Sequence, residues 1–166
     1  MPAREGRDIV VNFVFDTIEQ LDVTGWVAYP AAAYAQECKL PGGEMGAAYS
    51  HARWAPAGTD PIDDARRISD YWESLGMYVY TVNADTTPRV YGRGGPVLRA
   101  SFDTDAAKHS YRIGAIMPCG PGDAITLNGE DIAKQEQGVI LPGDDEGESN
   151  ETRYWMTTPT PQPSDQ

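Results

Sequence analysis

The sequence predicts an α+β fold: a two-layer sandwich with two helices on one face of a four-stranded, mainly antiparallel sheet, in the order α-β-α-β-β-β. Three observations predict it. Residues 60–75 carry an apolar stripe at helical spacing, and residues 77–83 alternate at strand spacing directly afterwards. Residues 8–21 show a second helical stripe. Residues 97–102 and 110–117 alternate apolar and polar around a short turn. A helix with one apolar stripe joined to a strand must lie on a sheet to bury that stripe.

Taken in order, Met1–Arg7 shows no periodicity and is expected to be disordered. Residues 8–21 place Val10, Phe13, Val14, Thr17, Ile18 and Leu21 on one helical face, and Gly25 closes the segment. Residues 26–40 read as a connector: Trp26–Pro30 as a short extended piece, then Ala31–Cys38 with at most a turn or two of helix. Pro41-Gly42-Gly43 is a break. Gly46–Trp54 alternates loosely and is the first full strand.

The segment from Thr59 to Val82 has the clearest local grammar. Asp60 suits a helix N-cap, Pro61 the first helical position, and Asp63 and Asp64 the positive end of the helix dipole. Ala65, Ile68, Trp72 and Leu75 form the stripe, with Trp72 the expected anchor between helix and sheet. Gly76 suits a left-handed C-terminal stop, with Met77 folding back onto Trp72. The strand that follows puts Met77, Val79 and Thr81 on one face and Tyr78, Tyr80 and Val82 on the other.

Arg89–Tyr91 extends the ladder, and Gly92–Pro96 is a tight bend. Leu98, Ala100 and Phe102 share one face of the third strand; Tyr111, Ile113, Ala115 and Met117 share one face of the fourth. Ile125–Glu130 suggests a small hairpin, because Asn128-Gly129 suits a type I′ turn. The domain is therefore expected over residues 8–125. Residues 126–166, acidic and rich in Pro and Thr, are expected to be largely disordered.

The chain has 166 residues and a formal net charge of −12. From Glu130 onward it holds nine acidic and two basic residues. An acidic balance argues against nucleic acid as a partner, since phosphate binding needs basic patches. No run of apolar residues is long enough to span a membrane. Met1–Arg7 lacks the apolar core of a signal peptide, which reads as a cytoplasmic protein or as a chain that begins after its signal. The two cysteines, Cys38 and Cys119, do not have redox or zinc-ribbon spacing. They could form one disulfide or remain two buried thiols.

The order of these features resembles the small cell-envelope lipoproteins of actinobacteria, loosely the LppA-like group. The resemblance rests on the N-terminal helix, Glu37-Cys38-Lys39-Leu40, the helix from Ala65 to Gly76, the glycine loop, Ala100-Ser101-Phe102, Pro118-Cys119 and the Pro/Thr-rich end; it covers residues 8–122. It implies export, tethering through a lipidated N-terminal cysteine, and a Cys38–Cys119 disulfide. This sequence shows no lipobox cysteine ahead of its first helix. The group brings no catalytic residues to carry over.

Tests for chemistry are negative. His51 and His109 are the only histidines, and no Gly-x-Ser-x-Gly elbow accompanies them. His51 reads as a half-exposed strand residue and His109 as a solvated turn residue. Gly92-x-Gly94-Gly95 lies between strands, so it lacks the helix N-terminus of a phosphate cradle. Asp144–Glu148 lacks the ordered spacing of a calcium loop and reads as a solvated acidic stretch. No catalytic residue, cofactor or metal is expected.

The richest feature is aromatic. Tyr78 and Tyr80 alternate with the core face of their strand, and Tyr49, Trp54 and Tyr91 fall near them in the expected sheet. If helices cover one face, these five residues form a candidate binding face, because Tyr and Trp offer flat apolar area with a polar tip. The leading expectation is a non-enzymatic, exported or tethered domain binding a protein or envelope component. The alternatives are a cytoplasmic interaction or immunity-type protein, or an enzyme whose site is scattered in sequence.

Overall fold

The computed structural model describes residues 1–28 and 32–145. Its elements are α1 (Glu5–Ile18), β1 (Val27–Ala28), β2 (Tyr34–Lys39), β3 (Met45–Pro56), α2 (Pro61–Ser74), β4 (Tyr78–Val82), β5 (Arg89–Gly94), β6 (Val97–Ala106), β7 (Ser110–Ile116) and α3 (Ala124–Glu136). The α+β class and the antiparallel sheet are as expected. The counts are larger: three helices and seven strands among the described residues, in an open sheet of order β1-β3-β7-β6-β5-β4 with β2 also on β3. Every pairing is antiparallel.

β3 is the hub. Its residues 45–50 pair with β2 and residues 53–54 with β1 on one edge, while residues 50–56 pair with β7 on the other. The expected connector is thus largely the strand β2. Its alanines favour helix locally, but the turn at Pro41-Gly42-Gly43 returns the chain onto β2 itself. There Leu40 N–H donates to Glu44 O at 2.8 Å, and Gly43 takes a φ of +92°.

α2 follows its local signals. Asp60 accepts from Asp63 N–H at 3.1 Å. Gly76 has a φ of +83°; Met77 N–H reaches Trp72 O and Gly76 N–H reaches Glu73 O, the two bonds of a Schellman ending. Trp72 is fully buried between layers. Its ring stacks on Phe13 of α1, and its Nε1–H donates to Thr17 Oγ1 at 3.0 Å. A Cβ on Gly92 would come within 3.0 Å of this ring, so the glycine in β5 makes room for the anchor.

The chain ends depart from expectation. Residues 1–7 are packed: Ala3 N–H donates to Pro121 O at 2.9 Å, and Arg4 and Arg7 both bind Asp131. Residues 124–136 form α3 in place of the expected hairpin, capped by Asp123, whose carboxylate accepts from Thr126 N–H at 2.9 Å. The amide of Asn128 spans the backbone of Ala35, accepting from its N–H and donating to its C=O, each at 2.8 Å. It thereby satisfies part of the exposed edge of β2. The chain stays packed through Asp145, so the ordered part extends well past residue 125. The expected disorder of residues 146–166 lies outside the described residues.

The disulfide is present: Cys38 and Cys119 are joined, with Cα atoms 5.9 Å apart. It staples β2 to the segment after β7. Among the described residues no helix is long and apolar enough to cross a membrane.

Candidate functional site: the open face of the sheet

The helices all pack on one face of the sheet. α1 meets His51 and Arg53 through Phe15, α2 meets Gly92 through Trp72, and α3 meets Tyr49 through Asp131. In an antiparallel ladder opposed residues share a face, so the registers define what lies on the other side. One row across it runs Ala52, Gly114, Ser101, Tyr91, Tyr80. A second runs Ser50, Ile116, Arg99, Arg93, Tyr78, and a third Trp54, Arg112, Asp103, Arg89, Val82. The first row, with Ser50, Ile116, Arg99 and Arg93 of the second and Trp54 and Arg112 of the third, floors a groove of about 530 Å³ whose lining runs across the sheet from β2 to β4, with Tyr34 and Gln36 at one end and Tyr80 at the other.

Small residues in the first row leave the middle of the groove low, and aromatic rings rise beside it. Tyr80 stacks on Tyr91 with centroids 5.2 Å apart, and Tyr78 stands 6.4 Å from Tyr80. Tyr78 and Tyr80 are 62% and 50% exposed, large values for apolar rings in one strand. Arg93 lies over Tyr78 at 5.1 Å and Arg112 over Trp54 at 5.6 Å, both at cation–π distance.

Arg112 lies flat against the sheet. A Cβ on Gly114 would fall 2.8 Å from its Nη1 and 3.0 Å from its Cζ, so the missing side chain is what admits the guanidinium. Its Nη1 donates to Ser101 Oγ at 3.5 Å, and burial pushes its pKa down. Arg89 donates to Tyr91 Oη at 3.4 Å and sits 3.3 Å from Asp103; these partners hold its pKa up.

Of the five aromatic residues expected on this face, Trp54, Tyr78, Tyr80 and Tyr91 are on it. Tyr49 is not. It is fully buried on the helix side, where its hydroxyl donates to Asp131 at 2.7 Å and burial pushes its pKa up to about 12. The physical reason is register: Tyr49 shares the parity of Ala47 and Ala55, which face the helices. The arginines and Tyr34 were not singled out from the sequence. The available signal was the alternation of Arg99, Ser101 and Asp103 against Ala100 and Phe102, and of Arg112 and Gly114 against Tyr111 and Ile113.

The expected half-exposed His51 is also corrected: it is 1% exposed. Arg53 donates its Nε–H to His51 Nε2 at 3.1 Å, and burial, then Arg53, lower the imidazole pKa to about 4. Arg53 in turn binds Asp145 at 2.6 Å and Gly143 O at 2.8 Å. Asp144 accepts from Leu141 N–H and Gln135. The start of the acidic stretch is therefore part of the packing, not a solvated run; Glu146–Glu148 lie outside the described residues. His109 is exposed and contacts Asp105 at 2.8 Å. Among the described residues no group of three or more His, Cys, Asp and Glu converges as a metal site.

No protein-family profile and no curated protein matches the chain. Among solved structures, the chain is similar to a crystal structure of a DUF4853 family protein from Actinomyces odontolyticus, at 14% identity, with 89% of this chain and 73% of that one covered and a TM-score of 0.44.

Proposed function

We propose that this protein is a non-enzymatic binding domain of the cell-envelope lipoprotein type, acting outside the cytoplasm and holding a protein or envelope component on the open face of its sheet. The observation that carries the reading is the row of neighbouring rings Tyr91, Tyr80 and Tyr78, with Trp54 across the groove on β3, on the face that the helices leave uncovered. Aromatic rings of this kind are costly to leave in water and supply large contact area at little conformational cost when covered. The Cys38–Cys119 link supports an oxidising compartment, where such bonds persist. The chemistry of the histidines and cysteines favours binding over catalysis: His51 is locked to Arg53 beneath Phe15, and both thiols are consumed by the disulfide.

The test compares wild type with a Tyr80→Ser/Tyr91→Ser variant for retention on envelope fractions prepared from an actinobacterium. Retention should fall sharply in the variant while its Tm stays near that of wild type. Equal retention by both proteins overturns the assignment to this face. Alkylation of the protein in intact cells checks the compartment: thiols that label without reduction would overturn export.

A further inference from the structure

The arginines in the groove are treated differently from those elsewhere among the described residues. Nine arginines fall within the described residues. Six have a carboxylate within ion-pair distance: Arg4 and Arg7 with Asp131, Arg53 with Asp145, Arg66 and Arg67 with Asp63, and Arg89 with Asp103. The three without such a partner among the described residues are Arg93, Arg99 and Arg112, and all three line the groove. No Asp or Glu lines it, in a chain whose net charge is −12. Arg93 and Arg99 stand directly opposite each other in the β5–β6 ladder, a like-charge pairing that costs stability. Arg99 is in turn opposite Ile116, two residues from Gly114, over which Arg112 lies.

We propose that the groove binds a small phosphorylated ring compound, its phosphate seated among Arg93, Arg99 and Arg112 and its ring laid against Trp54 and Tyr91. This rests on the open-face reading above and names the class of ligand that the face takes. Guanidinium forks match phosphate oxygens in pairs, and a dianion answers three cations that have no carboxylate at ion-pair distance better than a carboxylate does. The low floor of Ala52, Gly114 and Ser101 gives the ring a place between the aromatic walls. The volume of about 530 Å³ is that of a small-molecule site. Arg112 is already drawn down by Gly114 and Trp54, so it needs little reordering to hold the anion.

The experiment titrates the full chain with phenyl phosphate, and with phenol and inorganic phosphate as separate probes, up to about 10 mM. Amide and indole NMR shifts are followed in wild type, in Arg93→Gln/Arg99→Gln and in Arg112→Gln. Phenyl phosphate should bind most tightly, inorganic phosphate more weakly, and phenol least. Each variant should lose at least tenfold in affinity for phenyl phosphate with Tm unchanged or higher, and binding should weaken as salt rises. Equal affinity in the variants, or phenol binding as tightly as phenyl phosphate, overturns the anion while leaving the aromatic face in use. No shift with any probe also overturns it. The envelope-retention test does not depend on these probes, so the two proposals fail separately.

Discussion

Asp145 lies only twenty-one residues before the C-terminus, yet it should be among the more consequential residues for stability. Its two oxygens accept from Arg53 Nη1 and from the Ala28 N–H of edge strand β1, each at 2.6 Å. Both partners of the ion pair are nearly inaccessible, at 4% and 8% side-chain exposure. Asp145→Ala removes one charge and leaves the other buried beneath Phe15, a change that typically costs about 3–5 kcal/mol. At about 2–4 °C per kcal/mol for a chain of this size, Tm should fall by about 6–20 °C. Urea denaturation followed by circular dichroism gives the free energy directly. Pairing the change with Arg53→Met removes the orphaned charge and should recover much of the loss. An Asp145→Ala protein within about 0.5 kcal/mol of wild type would refute the argument, since that is what a surface substitution gives.

Three further outcomes follow from the packing. Trp72→Ala should cost about 3–5 kcal/mol, because it empties the space between α1, α2 and Gly92; the check is the urea midpoint, and a silent change would sink the anchor role. The unfolded chain's His51 titrates near 6.5 and the folded one near 4, so between those values the unfolded state holds the extra proton. Stability from this group is full above about pH 6.5 and falls as pH drops towards 4, by about 3 kcal/mol in total. His51→Gln should flatten that part of a pH series of unfolding free energies. Reducing the Cys38–Cys119 bond, whose cysteines are 81 positions apart, should cost about 4 kcal/mol by loop entropy. Scanning calorimetry with and without reductant measures it; an unchanged Tm would show that β2 needs no staple.

What could be read from the sequence was whatever local chemistry decides. α2 announces both of its ends, through Asp60-Pro61 and Gly76, and the strands after it alternate cleanly because helices cover only one of their faces. The features that escaped are settled by contacts distant in sequence. The sequence leading into β2 is alanine-rich, and the stretch looks helical until β3 offers β2 a ladder. Asn128-Gly129 suggests a turn, yet in α3 the Asn128 amide is spent on Ala35, 93 residues away. Residues 1–7 have no periodicity; Asp131 and Pro121 order them. For the site, alternation placed Tyr78 and Tyr80 correctly within β4. It could not place Tyr49, whose parity relative to the helices depends on what covers β3. The arginines passed as ordinary surface charge because a sequence does not show which carboxylates will reach them.

That last point has a measurable consequence. A charge on the helix side must be neutralised for the chain to fold, and Arg53 has Asp145, Gly143 O and the ring of Phe15 at 4.3 Å. A charge on the open side can rely on water, so folding places no demand for Arg99 opposite Arg93. If Arg99 were kept for stability, replacing it would weaken the fold. If it is kept for a ligand, replacing it relieves a like-charge pair, and cross-strand pairs of this sort are worth about 0.2–1 kcal/mol. Arg99→Gln should therefore raise the unfolding free energy by about that amount at low salt, and the gain should shrink as salt screens the pair. A loss of stability at low salt would mean that Arg99 has structural work to do, and would remove the strongest reason for assigning the groove to an anion.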